Sequence, residues 1–435
     1  MTLRAYRRER LVLALVAAAA LAPVNPLNTA DVSRLALTEA VVRDATLHTE
    51  RFAPRNLDRA AHGGHLYSDK APGISFAAIP VVVAVAAVDR LRAVNDPRPW
   101  RRLGHLWLYR LLTGGLAFAA SVWLVGRLGE GLAAGAGAAT AAAYGLGTIA
   151  GPIGPTTFGS LAAAALGLGA LVFLRRPLVG GLLAGTAILF EYQAALIVLA
   201  LLALSRRPRF LLGLVPPLAL LAAYDWIAFG APWRLSYRYV ANEFAERQHE
   251  GFFGIGAPTA DGLWHVLVWP RGLLLLSPVL VLAAAGLWLW HTRLALACGA
   301  LAIAFVLYDA GYFDPYGGTS PGPRFLAPML PFLALGLPFA FRRWPLATSL
   351  AAAWSIAACT FDALTWAIRN ALDFHDGLPQ TVWSLAGTSR ATGVALVWTA
   401  ATAAAAVALA SHVRRTGPRP ATHRRGGPGS PRRRA

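Results

Sequence analysis

Permanent charge is scarce in this sequence. Only 14% of its 435 residues are Asp, Glu, Lys or Arg, 56% are hydrophobic, and the mean hydropathy is +0.51. Soluble domains carry about 25% charged residues, so a soluble globular fold is excluded and an integral membrane protein is expected. Recurrent apolar runs of about 17–25 residues, the length that spans a bilayer as helix, sharpen that reading. Lysine is scarcer still: Lys70 is the only one, and arginine supplies every other permanent side-chain cation. Cysteine is limited to Cys298 and Cys359, both inside apolar runs, which suits small core residues better than a disulfide or a metal site. The sequence has no GxxxxGK[ST], HExxH or CxxC, so ATP hydrolysis and zinc chemistry lack support. Gly318-Thr319-Ser320-Pro321-Gly322 matches the pattern of a nucleophile elbow, but that elbow needs a strand-to-helix turn and this one lies between apolar runs. No repeat with a period of about 20–50 residues is present, which excludes an array.

What the chain has is arginine, and its placement matters more than its total. The net charge is +19, and 12 of the 40 Lys/Arg sit in two terminal pieces, four in Met1–Arg10 and eight in Ser411–Ala435. Most of the others flank apolar runs, the pattern of charges that orient helices and touch anionic lipid. No folded basic module is left over, so nucleic acid is not an expected partner.

Candidate spans are 11–27, 104–126, 131–150, 159–174, 178–204, 210–229, 273–290, 294–310, 325–341, 345–361 and 392–412. The basic start followed by Leu11–Ala22 imitates a signal peptide, but we expect an uncleaved first span with a cytoplasmic start. Clusters at Arg175-Arg176, Arg206-Arg207-Arg209, Arg342-Arg343 and Arg414-Arg415 should face the cytoplasm. The stretch between Arg176 and Arg206 is long for one crossing and short for two, so two short helices meeting near Phe190-Glu191-Tyr192-Gln193 are expected. The same parity lays the apolar stretch 74–91 along the outer face as a juxtamembrane helix. The domain plan is a basic cytoplasmic N-terminus at 1–10, a single membrane domain at 11–412, and a disordered basic cytoplasmic tail at 413–435. Polar outer segments fall at 28–103, 151–158, 230–272, 311–324 and 362–391, and both termini are expected in the cytoplasm of a multi-pass cytoplasmic-membrane protein.

The residues able to carry chemistry lie in those outer segments. Asp31, just after the first span, is placed to act as a general base toward a hydroxyl, or to cap a helix together with Asn28 and Thr29. Arg34, three residues on, is near enough to orient Asp31 or to bind an anion. In Tyr67-Ser68-Asp69-Lys70-Ala71-Pro72-Gly73 the lone lysine precedes a Pro-Gly turn, suited either to a phosphate or to snorkelling toward headgroups. Gly317-Gly318 through Pro323-Arg324-Phe325 offers a loop of backbone amides ending in an arginine, an anion-binding concavity or an ordinary turn. Glu191, with Tyr192 beside it, is a carboxylate in an apolar stretch, either facing the outer cavity or bonded within the bundle. Arg238 to His249 reads as a solvated helix, and Trp264 and Trp269 as an interfacial belt.

Taken together these strings resemble the GT-C superfamily, the polytopic glycosyltransferases that use lipid-phosphate sugars. The likeness is to the type that includes bacterial aminoarabinose transferases and protein O-mannosyltransferases, and it covers roughly residues 11–345. The resemblance implies an all-α bundle of about 11–13 transmembrane helices with juxtamembrane helices in the first outer loop. It makes Asp31 in Thr29-Ala30-Asp31-Val32-Ser33-Arg34 similar to the family's general base, and Lys70-Ala71-Pro72-Gly73 similar to its lysine for the lipid phosphate. Arg324-Phe325 is similar to the family's arginine before a late span. Arg34 and Tyr67 join the expected donor site, with Asp69, Glu191 and Tyr192 as supporting residues. The implied reaction is an inverting transfer of a sugar from a polyprenyl phosphate to a lipid, polysaccharide or protein acceptor on the outer face, with no cofactor. Where many relatives carry a second acidic residue, this chain has Gly154-Pro155-Thr156-Thr157-Phe158, so no metal is expected. The alternative is a secondary transporter or lipid flippase for an anionic cargo, with Glu191 and the outer arginines as its binding groups.

Overall fold

Helix dominates the residues that the computed structural model describes, namely 3–21, 27–92 and 103–372. Apolar runs dictate this, because in lipid every backbone N–H and C=O has to be paired within its own segment. Among the described residues, five helices are long and apolar enough to cross a membrane: Gly73–Leu91, Gly104–Leu132, Pro208–Phe229, Arg293–Ala310 and Pro345–Ala363. Arg324–Ala334 and Leu337–Arg343 make a sixth candidate bent by 57°, and four shorter apolar helices fill the bundle between them. Large apolar side chains such as Leu212, Trp226, Ile227 and Trp288 point outward, a surface that water would penalise and hydrocarbon accepts. The chain is an all-α polytopic membrane protein.

Inside, one continuous apolar core joins the Leu3–Leu21 helix to helices from Leu116 through Pro345. Small residues allow the closest approaches. A Cβ on Gly286, in Val279–Trp290, would strike the backbone carbonyl of Gly336 on the bent pair, so these backbones pack closer than any side chain permits.

Several expected spans are broken. The stretch 178–204 divides as its arginine flanks required: Pro177–Phe190 stops at Glu191, which is extended (φ −153°, ψ 124°), and Ala195–Ser205 follows a short 3-10 turn at Tyr192–Ala194. The stretch 131–150 is Gly137–Gly145 and the short Ala150–Ile153, not one helix, with the break at 146–149 around Gly147. The stretch 325–341 is likewise three pieces, opened by the 3-10 turn Arg324–Met329. The first helix begins earlier than expected, at Leu3, and ends at Leu21. The last described helix, Pro345–Leu372, runs through the start of the expected outer segment 362–391. Arg238 to His249 is not one solvated helix but a 3-10 turn at Ser236–Tyr239 and a short helix at Ala245–His249. The stretch 74–91 forms the unbroken helix Gly73–Leu91, packed on Thr29–Asp44. The span expected at 392–412 and the tail 413–435 lie outside the described residues.

The first of the segments expected at the outer face is built, not loose. After Thr29–Asp44 comes an antiparallel hairpin, Ala60–His62 with His65–Tyr67. Its two-residue turn is Gly63-Gly64, at φ +60° and +84°, the geometry a tight hairpin needs and only glycine adopts without strain.

Candidate functional site

The Thr29–Asp44 helix organises the site. It starts with a capping box: the Asn28 side chain accepts from the Asp31 amide at 2.8 Å, and the Asp31 carboxylate faces the Asn28 amide at 3.5 Å. The capping reading of Asn28 and Asp31 therefore holds, yet it accounts for only one of Asp31's contacts. Asp31 is fully buried, and its Oδ1 accepts from the Thr157 amide at 3.0 Å and the Thr157 hydroxyl at 2.5 Å. Its Oδ2 pairs with the Arg110 guanidinium. Arg110 reaches it from immediately before a π-helical turn, Leu111–Gly115, where the Gly104–Leu132 span widens. Burial pushes the Asp31 carboxyl up, but the Arg110 charge and the hydrogen bonds from Arg110 and Thr157 outweigh it and hold the group below the ordinary aspartate value of 3.8.

Successive side chains of the same helix touch every other polar part of the site. Thr29 donates to Asp58 at 3.0 Å, and Ser33 donates to Asp69 at 3.2 Å while bonding the Ser68 hydroxyl at 2.9 Å. Arg34 does not orient Asp31. It turns instead to Glu191, 3.4 Å away, in the break between the two short helices, where Ser160 also donates to Glu191. Glu191 thus takes its bonded role while standing in the same polar cluster.

Lys70 is nearly buried and reaches Asp69 at 2.8 Å and Asp58 at 3.3 Å. Its two carboxylates respond differently. Burial raises the Asp69 carboxyl, Lys70 pulls it back, and neighbouring Asp58 helps keep it above the ordinary value. Asp58 is also raised by burial, but Lys70, Arg324 and the Thr29 hydroxyl bring it below the ordinary value. Asp58 therefore feels the charges of both expected anion ligands, Lys70 and Arg324.

Arg324 is the cation of the cluster that makes no ion pair among the described residues. The residue is 6% exposed, with its guanidinium 4.3 Å from the Phe158 ring centre and 4.8 Å from that of Phe325. Among the described residues no carboxylate pairs with it, and its Nε has no hydrogen-bond partner. Gly317, at φ +67°, lies against that Nε, where a Cβ would collide. Four cations (Arg34, Lys70, Arg110, Arg324) face four carboxylates (Asp31, Asp58, Asp69, Glu191), but three cations hold all four carboxylates. A buried guanidinium is costly unless an anion joins it, so the arrangement is suited to receive an anionic group beside Arg324.

Two expected residues stand at the margin. Tyr192 bonds the Ser236 hydroxyl at 3.3 Å, and Ser236 donates to the Asp69 carbonyl, so Tyr192 supports the Lys70 turn. The Tyr67 ring packs against His48 and Phe229. Gly318–Gly322 lies on no sheet and Ser320 is buried, which leaves the nucleophile-elbow pattern without its geometry. Cys298 and Cys359 are buried free thiols. Sequence reasoning missed Arg110, Thr157, Phe158 and Asp58. Arg110 had a signal, being a permanent charge inside a span; Thr157 and Phe158 had none, since only folding brings them to Asp31 and Arg324.

No family model matches the chain, and a search of curated proteins finds no match. Among solved structures it is similar to the crystal structure of ArnT from Cupriavidus metallidurans bound to undecaprenyl phosphate. That similarity has a TM-score of 0.48 at 15% identity and covers 96% of this chain and 78% of the other.

Proposed function

We propose that this chain is a membrane glycosyltransferase of the GT-C type, moving a sugar from a polyprenyl phosphate to a hydroxyl of a cell-envelope acceptor at the outer face of the cytoplasmic membrane. The observation that carries the proposal is Arg324, buried and in no ion pair among the described residues, whose charge acts on Asp58 together with that of Lys70. A phosphate beside Arg324 and Lys70 supplies the missing negative charge, and the two cations stabilise it as it departs with its lipid.

Asp31 serves as the base. Its Oδ1 already accepts from an aliphatic hydroxyl, that of Thr157, and an acceptor hydroxyl takes the same position. Arg110 holds the carboxylate ionised and oriented. The acceptor oxygen forms its bond to the anomeric carbon as the bond to phosphate oxygen breaks, with inversion. The proton passes to Asp31, and the electron pair leaves on the polyprenyl phosphate. Glu191 and Asp69 position Arg34 and Lys70. No nucleotide takes part, since the sugar arrives activated on its lipid.

The test is sugar transfer by purified protein in liposomes carrying a polyprenyl-phosphate sugar. Asp31→Asn and Lys70→Ala should abolish transfer while the protein remains folded; full activity in both would overturn the assignment. One observation favours transport instead: Asp225 and Asp309, on two membrane helices, are fully buried with both carboxylate oxygens lacking hydrogen-bond partners. Flux of an anionic lipid that follows Glu191 and Asp225, with Asp31 dispensable, would establish that reading.

A further inference from the structure

A second group of ligating side chains lies in the first outer segment, separate from the cluster around Asp31. His48 and Glu50 follow the Thr29–Asp44 helix, and His65 opens the second hairpin strand. The ligand atoms of the three all lie within 4.8 Å of one another. The backbone that carries them is braced. The Thr49 amide donates to the Leu66 carbonyl at 2.8 Å, and the Leu66 amide donates to Glu50 Oε2 at 3.1 Å. The Gly63-Gly64 turn fixes where His65 starts its strand. Glu50 Oε1 and His65 Nδ1 are 2.8 Å apart, and the His48 and His65 rings stack with centres 3.7 Å apart and 12° between planes.

We propose that His48, Glu50 and His65 bind one divalent cation of the zinc class, with water completing its shell. Two imidazoles and a carboxylate are a borderline N/O donor set, which suits zinc and not the all-oxygen shells of calcium or magnesium. Metal–ligand distances of about 2.0–2.2 Å put tetrahedral ligand atoms about 3.3 Å from one another. The widest-spaced ligand atoms therefore close by at most about 1.5 Å, while Glu50 Oε1 and His65 Nδ1, at 2.8 Å, open by about 0.5 Å. Glu50 and His65 have the freedom to do so, their side chains being 40% and 46% exposed. A metal lies in the plane of each imidazole that binds it, so the two rings leave their parallel stack on binding. His65, the more exposed, is the one that turns.

Such an ion joins the segment after the organising helix to the strand that leads, through Tyr67 and Ser68, to Lys70. It staples the outer segment from outside the Asp31 cluster, and the proposal stands whichever function that cluster serves. The test uses the full-length protein in detergent after chelation, titrated with Co²⁺ followed by its visible d–d bands and with Zn²⁺ followed by calorimetry. One ion per chain should bind with micromolar or tighter affinity, with bands of four- or five-coordinate cobalt and a zinc-dependent rise in Tm. His48→Ala and His65→Ala should each weaken binding at least tenfold and remove the Tm rise. His265→Ala, which removes a pair with Asp261 and an edge contact with Tyr316 and touches none of the three ligands, should change nothing. Millimolar binding, octahedral cobalt spectra, or equal affinity in wild type and both variants would overturn the proposal.

Discussion

Replacing Arg324 separates what the side chain costs the resting protein from what it supplies to a ligand. In Arg324→Met the stem is roughly preserved, and two ring contacts at 4.3 and 4.8 Å are lost. Each such contact contributes about 0.5–2 kcal/mol. Against that stands an arginine 6% exposed, paired with no carboxylate among the described residues and with an Nε lacking a partner, whose desolvation costs several kcal/mol. The resting protein should therefore lose no stability in Arg324→Met and should gain about 1–3 kcal/mol, a trade of stability for binding. Polyprenyl-phosphate affinity should fall by about 2–4 kcal/mol, roughly 30- to 900-fold in Kd, because a charge-assisted contact in a dry site is removed. Arg324→Lys should not restore affinity, since an ammonium neither stacks between Phe158 and Phe325 nor presents a planar fork. Denaturant unfolding in mixed micelles measures the first quantity, and titration with polyprenyl phosphate the second. A variant that is less stable by 2 kcal/mol or more and binds the lipid as wild type does would refute the reasoning.

Three further outcomes follow from the same geometry. Gly317→Ala places a Cβ against Arg324 Nε as well as straining a φ of +67°, whereas Gly318→Ala at φ +87° meets no atom within 4 Å. Both should cost about 1–3 kcal/mol of stability, but only Gly317→Ala should also lower affinity for polyprenyl phosphate. Because the Asp31 carboxyl is held below 3.8 when folded, its stabilising contribution is complete above that unfolded-state value and is lost as pH falls through the lower folded value. The pH–rate profile should therefore show no acid limb from Asp31 between about pH 5 and 8, and a limb there that disappears in Asp31→Asn would contradict the assigned environment. Gly286→Leu should destabilise the bundle by roughly 3 kcal/mol or more through collision with the Gly336 backbone, seen as a lowered thermal unfolding temperature in detergent.

The sequence was most informative where a physical constraint acts locally. Scarce charge and long apolar runs determined a helical membrane protein, because unpaired backbone cannot sit in hydrocarbon. The arginines around 175 and 206 determined that the intervening stretch breaks near Glu191, and the structure breaks it at that residue. A helix cap among Asn28, Thr29 and Asp31 was legible, and the structure makes Asn28 the cap and Asp31 its capping-box partner. The lone lysine and the arginine after a Gly/Pro loop stood out because such cations are uncommon beside apolar runs.

What only the tertiary structure decided is which charges face one another. Nothing in the order of residues says that Arg34 belongs to Glu191, 157 positions away, or that Arg110 and Thr157 close around Asp31. Those pairings depend on a π-helical turn that carries Arg110 to Asp31 and on how helices pack through glycine contacts. Arg324 shows the same division. Its presence at the end of a loop was a matter of sequence, but that it makes no ion pair among the described residues is a property of the folded neighbourhood, which commits Asp31, Asp58, Asp69 and Glu191 to other cations.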